Sequence, residues 1–155
     1  SCWSRGQAWG IYGFLLSYIY TGDATMIALS KRLANYFLNR LPEDHVCHWD
    51  LALVGTDALR DSSSAAIAVC GLLELVKHLP ATDPDRERYL AWAKGIMSSL
   101  TKHYLMGKEE KGNGLLKHSV YHLASNKGVD ECASWGDYFY VEALVRFTQS
   151  WKLYW

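Results

Sequence analysis

Two kinds of helix alternate along this chain, and that alternation limits what it can fold into more than any other feature. Residues 3–20 (WSRGQAWGIYGFLLSYIY) are apolar on nearly every face, the pattern of a helix surrounded by other helices. Thr21-Gly22-Asp23 stops that helix and offers a cap to the next. Over residues 24–41 the apolar positions Met26, Ile27, Leu33, Ala34, Phe37, Leu38 and Leu41 recur at three- and four-residue steps, with Lys31, Arg32, Asn35 and Asn39 opposite, so this helix faces solvent. After a long loop, Ser62 or Ser63 can cap a second all-apolar helix (AAIAVCGLLELV). Thr82-Asp83-Pro84 then opens a second amphipathic one carrying Tyr89, Ala93, Ile96, Met97, Leu100 and Tyr104. A glycine-broken loop over 107–133 leads to a fifth helix, WGDYFYVEALVRF, again apolar on most faces.

Inner, outer, inner, outer, inner is the order produced by helical hairpins arranged in a ring. Hairpin partners run antiparallel, so the inner helices run parallel to one another and their N-termini meet at one mouth. Those N-termini read SCWSRGQAW, LRDSSSAA and ASWGDYF, which brings an arginine, acids, serines and tryptophans together. Asp61, Ser62 and Asp137 are equally well placed to be plain helix caps. The expected fold is all-α, an incomplete (α/α)6 toroid with about five helices present. Five helices with an inner one at each end do not close a ring. Residues 1–155 are therefore expected to be the C-terminal fragment of one toroidal domain, its missing N-terminal half being a partner.

Half of the 155 residues are hydrophobic, enough for a substantial core, and 16 basic residues balance 16 acidic ones. A neutral chain gives no electrostatic reason to expect nucleic acid. No basic segment followed by an apolar stretch opens the sequence, and no apolar run is long enough to span a bilayer, so no membrane partner is expected. Cys2, Cys47, Cys70 and Cys132 form no C-x-x-C pair, which points to free thiols and a cytoplasmic location.

Arg5 and Trp9 stand four apart on one helical face, where a guanidinium can lie against an indole while its fork reaches an anionic group. The same spacing equally suits an Arg–Trp packing pair bonded to a buried carboxylate. Trp3 and Trp135 are either platforms for a ring or core. Ser125 and Lys127 place a hydroxyl and an ammonium two residues apart in a loop, a pattern that can hold a sulfate or simply be solvated. His45 and His48, and His118 and His122, lack a third ligand at useful spacing, so no metal is expected.

In order and spacing, WSRGQAWGIYGF, LPEDHVCHWD, RDSSSAAIAVCGLLEL and WGDYFYVEALVRF resemble the C-terminal part of glycoside hydrolase family 88, the unsaturated glucuronyl hydrolases. The resemblance covers essentially the whole chain. A related family acting on unsaturated rhamnogalacturonan fragments reads R-G-N-G-W where this chain reads R-G-Q-A-W. The resemblance implies a ring of six helical hairpins and a hydrolase acting on lyase-generated, glycosaminoglycan-type oligosaccharides. It removes the non-reducing 4,5-unsaturated uronic acid by hydrating the vinyl ether: carbon 4 is protonated, water adds at carbon 5, and the hemiketal opens to release the aglycone. The family's two aspartates lie N-terminal to R-G-Q-A-W, so this chain is expected to hold no catalytic residue, no metal and no cofactor. By the same resemblance Arg5 and Trp9 hold the unsaturated sugar, Gln7 of the same motif and Trp3 are further substrate-binding candidates without a fixed role, and Ser125 and Lys127 match a sulfate-recognising pair whose additional upstream serine is His122 here. Cys47 and His48 stand where the family has proline and tyrosine before W-D, and Ala124 ends its Y-H-x-P run, so substrate preference stays open. A rhamnogalacturonyl hydrolase-like enzyme and a non-catalytic carbohydrate-binding fragment are the alternatives.

Overall fold

Each helix begins and ends where its local chemistry dictates. The computed structural model describes residues 1–53 and 57–154. Helix α1 (Ser4–Thr21) stops at Gly22, whose φ of 72° lies in the left-handed region that glycine adopts at least cost. Asp23 then caps α2 (Ala24–Leu38) by accepting the Thr25 N–H. Asp61 caps α3 (Ser62–His78), and Asp83 caps α4 (Pro84–Ser99) ahead of a proline in its first turn. The α3 cap is therefore Asp61 and not Ser62 or Ser63. One π-helical turn, Leu100–Tyr104, extends α4, and α5 spans Ser134–Thr148. Asp137 does not cap α5; its carboxylate accepts the N–H groups of Leu115 and Leu116 at 3.0 and 2.9 Å, pinning the preceding loop.

The loop before α5 folds further than its sequence suggests. Ser119–His122 (β1) and Lys127–Glu131 (β2) form an antiparallel hairpin around a 3-10 turn, Leu123–Ser125, with Asn126 left-handed at φ 50°. These strands are short and slip register between Ser119 and Val120, so no clean alternation marks them. The fold stays all-α in architecture, an incomplete α/α toroid with the hairpin as an appendage at its mouth.

Helix α3 is the centre. It packs against α1 on one side, α5 on the other and α4 behind, while α2 lies on α1. Its residues from Ser62 to Leu72 are all buried, and most are small. A Cβ on Gly71 would lie 3.2 Å from the Tyr12 backbone nitrogen, and one on Gly136 of α5 would lie 3.1 Å from the Ser63 Cβ, so these glycines set how closely the inner helices approach.

The three inner helices run parallel, and side-chain pairing shows it. Near their N-termini Arg5 meets Asp61, and Gly136 meets Ser63. Further along, the Tyr12 hydroxyl donates to Glu142 at 2.8 Å, Arg146 bonds both Glu142 and Glu74, and His78 meets Glu74 at 2.9 Å. Helix α1 is not enclosed on every side: Trp9, Gly13 and Tyr20 share an exposed stripe, as Tyr138, Val141 and Leu144 do on α5. Neither stripe carries a charge, whereas α2 carries Lys31 and Arg32 and α4 carries Asp85, Arg86, Glu87, Arg88 and Lys94. Among the described residues no helix is long and apolar enough to cross a membrane.

Burial alone would raise the Glu74 carboxyl, but the Arg146 bond, with Lys77 and His78 beside it, holds it below the usual carboxylate range. Stability from this group is therefore complete above an unfolded value of about 4.3 and is lost as pH falls through the lower folded value. Glu74→Gln is expected to cost about 3–5 kcal/mol at neutral pH by removing one partner of a buried pair. It should also flatten the acid limb of stability, measured by thermal melts against pH.

Candidate functional site

The mouth of the toroid is built from one buried arginine outward. Arg5, in the first turn of α1, is only 4% exposed. Its NH1 group donates to Asp61 Oδ2 at 3.3 Å, Ser63 Oγ at 3.1 Å and the Val120 carbonyl at 2.9 Å, and NH2 donates to the Tyr121 carbonyl at 3.0 Å. The guanidinium carbon lies 5.0 Å from the Trp3 ring centre and 5.1 Å from that of Trp135. One side chain thus joins α1 to the cap of α3, the first turn of α5 and strand β1.

Around it opens a cavity of about 600 Å³. Trp3, Trp9, Trp49 and Trp135 line it with Arg5, and the β1 strand and its turn, from Val120 to Ala124, complete the wall. Trp49 is brought in by the loop after α2: its carbonyl accepts the Ser4 N–H at 3.0 Å, and its own N–H bonds the Leu59 carbonyl at 3.0 Å. Asp50 secures the same crossing, accepting from the Ser1 hydroxyl and from the Cys2 and Ala52 N–H groups. Indole faces suit the C–H faces of a sugar, and a planar guanidinium suits a carboxylate or hydroxyl pair. Besides Arg5, the described lining residues include Tyr121 and His122 as titratable groups, and the His122 Nδ1 lies 2.7 Å from the Ser125 hydroxyl. The wall is equipped to bind and orient.

Trp3, Arg5 and Trp9 come together at this cavity, with a changed pairing. The guanidinium lies over Trp3 and Trp135 and not over Trp9, which turns edge-on to Phe139 at 5.1 Å. Gln7 points away, donating to the Leu33 carbonyl of α2 at 3.0 Å and accepting from the Cys2 thiol. Ser125 sits on the exposed hairpin turn and Lys127, also exposed, opens β2; both lie outside the cavity lining. Lys127 is the register partner of His122, which does line it. Trp49 and Tyr121 were assigned no role from sequence. The W-D pair marked the first; nothing marked the second, because the hairpin that presents it was not legible.

The histidines have local partners. His45 packs edge-on to Trp92, His48 meets Arg60 and the Ala58 carbonyl, and His118 pairs with Asp130 at 2.7 Å. Among the described residues no three His, Cys, Asp or Glu are grouped to hold a metal. All four cysteines are free, and burial pushes the Cys47 and Cys70 thiols up.

Parallel inner helices whose N-termini gather indoles and an arginine around an open cavity define an α/α-toroid protein with its candidate site at the mouth. No protein-family model matches the chain. It is 50% identical over its whole length to an unsaturated chondroitin disaccharide hydrolase of Streptococcus pneumoniae, covering 39% of that protein. It is 40% identical to an unsaturated glucuronyl hydrolase of Bacillus sp. (strain GL1), again over its whole length and covering 41% of that protein. Among solved structures, a Streptococcus agalactiae unsaturated glucuronyl hydrolase variant complexed with dGlcA-GalNAc6S superposes with a TM-score of 0.94 at 51% identity, over 99% of this chain and 41% of that one. The chain belongs to the unsaturated glucuronyl hydrolase family and spans about two fifths of the length of these relatives.

Replacing Arg5 with alanine leaves Asp61 as an uncompensated buried charge, an expected loss of about 3–5 kcal/mol in thermal or urea unfolding. Amide exchange in β1 should accelerate in the same variant, because the Val120 and Tyr121 carbonyls lose their anchor.

Proposed function

We propose that the protein carrying this chain removes a non-reducing 4,5-unsaturated uronic acid from lyase-generated, glycosaminoglycan-type oligosaccharides by hydration of the vinyl ether. The observation that supports this most is a cavity walled by Trp3, Trp9, Trp49 and Trp135 with the Arg5 guanidinium among them, in a chain of this family. Arg5 and Trp9 hold the unsaturated sugar, Trp3 flanks it, and Gln7 acts indirectly by tying α1 to α2. Ser125 on the hairpin turn and Lys127 at the start of β2, beside the cavity, face the second sugar and favour an anionic substituent such as sulfate. The aspartates that protonate carbon 4 and place water lie outside these 155 residues.

The uncharged stripes on α1 and α5 fit a domain continued by further inner helices, of which residues 1–155 are the C-terminal part. On this reading the chain alone aggregates or stays loosely packed and shows no turnover. Four free thiols support a reducing, cytoplasmic compartment.

The protein is expected to abolish the ultraviolet absorbance of the double bond in a lyase-generated chondroitin or hyaluronan disaccharide. Unchanged absorbance across such substrates overturns the proposal. Trp9→Ala should lower kcat/KM roughly tenfold to a hundredfold while the fold persists, which converts to about 1.4–2.8 kcal/mol of transition-state binding. Normal turnover per folded molecule would make Trp9 structural.

A further inference from the structure

We infer that Asp61 is a positioning residue: through a fully occupied, buried carboxylate it sets the angle at which the Arg5 guanidinium faces the cavity. The inference rests on the reading that Arg5 contacts the uronic acid. Asp61 is completely buried. Its Oδ1 accepts the Ser63 N–H at 3.2 Å, the Ser64 N–H at 3.4 Å and the Ser63 hydroxyl at 2.6 Å. Its Oδ2 accepts the Ser64 hydroxyl at 2.7 Å and Arg5 NH1 at 3.3 Å. A carboxylate held on both oxygens at the start of α3 cannot swing, and Arg5 inherits that rigidity.

A guanidinium is planar, so fixing NH1 and NH2 fixes the direction of every remaining N–H. NH1 is fixed by Asp61, Ser63 and Val120, NH2 by Tyr121, and the Trp3 and Trp135 rings flank the guanidinium. The Asp61 charge also offsets that of Arg5. What reaches the ligand is then a set of aimed donors more than a free cation, and geometry governs recognition.

Charge and geometry predict opposite outcomes, which makes the inference testable. Asp61→Asn removes the negative charge and would tighten binding of an anionic sugar if net charge governed. Asp61→Glu keeps the charge and shifts it by one methylene. Both are made in the protein carrying this chain, alone and combined with Arg5→Lys. Affinity for an unsaturated disaccharide is read from indole fluorescence, kcat/KM from loss of double-bond absorbance, and both are normalised to the folded fraction. Both Asp61 variants are expected to lose about tenfold or more in affinity and kcat/KM, and less than about twofold in the Arg5→Lys background, the signature of a coupled pair. Should Asp61→Glu fail to fold, Ser63→Ala, which removes an NH1 acceptor without touching the cap residue, takes its place in the cycle. Tighter binding by Asp61→Asn, an unaffected Asp61→Glu, or equal losses in both backgrounds overturns the inference. If Arg5→Lys alone changes nothing, the reading of Arg5 fails instead, and the two failures are distinguishable.

Discussion

The contact on which the rest depends is the buried pair of Arg5 and Asp61. A guanidinium at the start of an apolar helix is tolerable only with its donors filled, and a carboxylate with no exposure only with its lone pairs filled. Each supplies part of what the other lacks, and Ser63, Ser64 and two β1 carbonyls add further partners. The pair links α1, α3 and the hairpin, and the flanking Trp135 adds α5. The elements that form the mouth therefore share one anchor.

A second buried network holds the same helices deeper in the ring. Tyr12, Glu74, Glu142 and Arg146 draw on α1, α3 and α5. With one tie near the N-termini and another further along, three parallel helices are fixed in register as well as in distance. Small residues on α3 allow that distance, since Gly71 accepts the α1 backbone where a side chain would collide. A rigid frame is what an indole-lined cavity needs, because ring stacking and a planar donor both depend on angle.

The division of labour follows from chemistry. The lining residues of this chain offer aromatic faces, an aimed guanidinium and a histidine bonded to Ser125. The buried thiols of Cys47 and Cys70, pushed up by burial, are packing groups and not nucleophiles. In the proposed reaction, proton transfer to carbon 4 falls to residues of the proposed domain outside this lining.

Much of this was legible in the sequence because helix periodicity is local. The alternation of all-apolar and amphipathic segments gave inner and outer helices, and antiparallel hairpins imply that inner N-termini converge, so the tryptophans and Arg5 could be assigned to one mouth. Three things needed the tertiary structure. Which indole meets the guanidinium was decided by Asp61 and the β1 carbonyls, which draw Arg5 toward Trp3 and Trp135 and leave Trp9 on Phe139. Gln7 went to α2 because a carbonyl was within reach there. The hairpin that presents Tyr121 and His122 has strands too short for a period, and its anchor to Arg5 lies more than a hundred residues away in sequence. Backbone pattern is local and survives in sequence, whereas the partner of a side chain depends on donors and acceptors that only folding brings within reach.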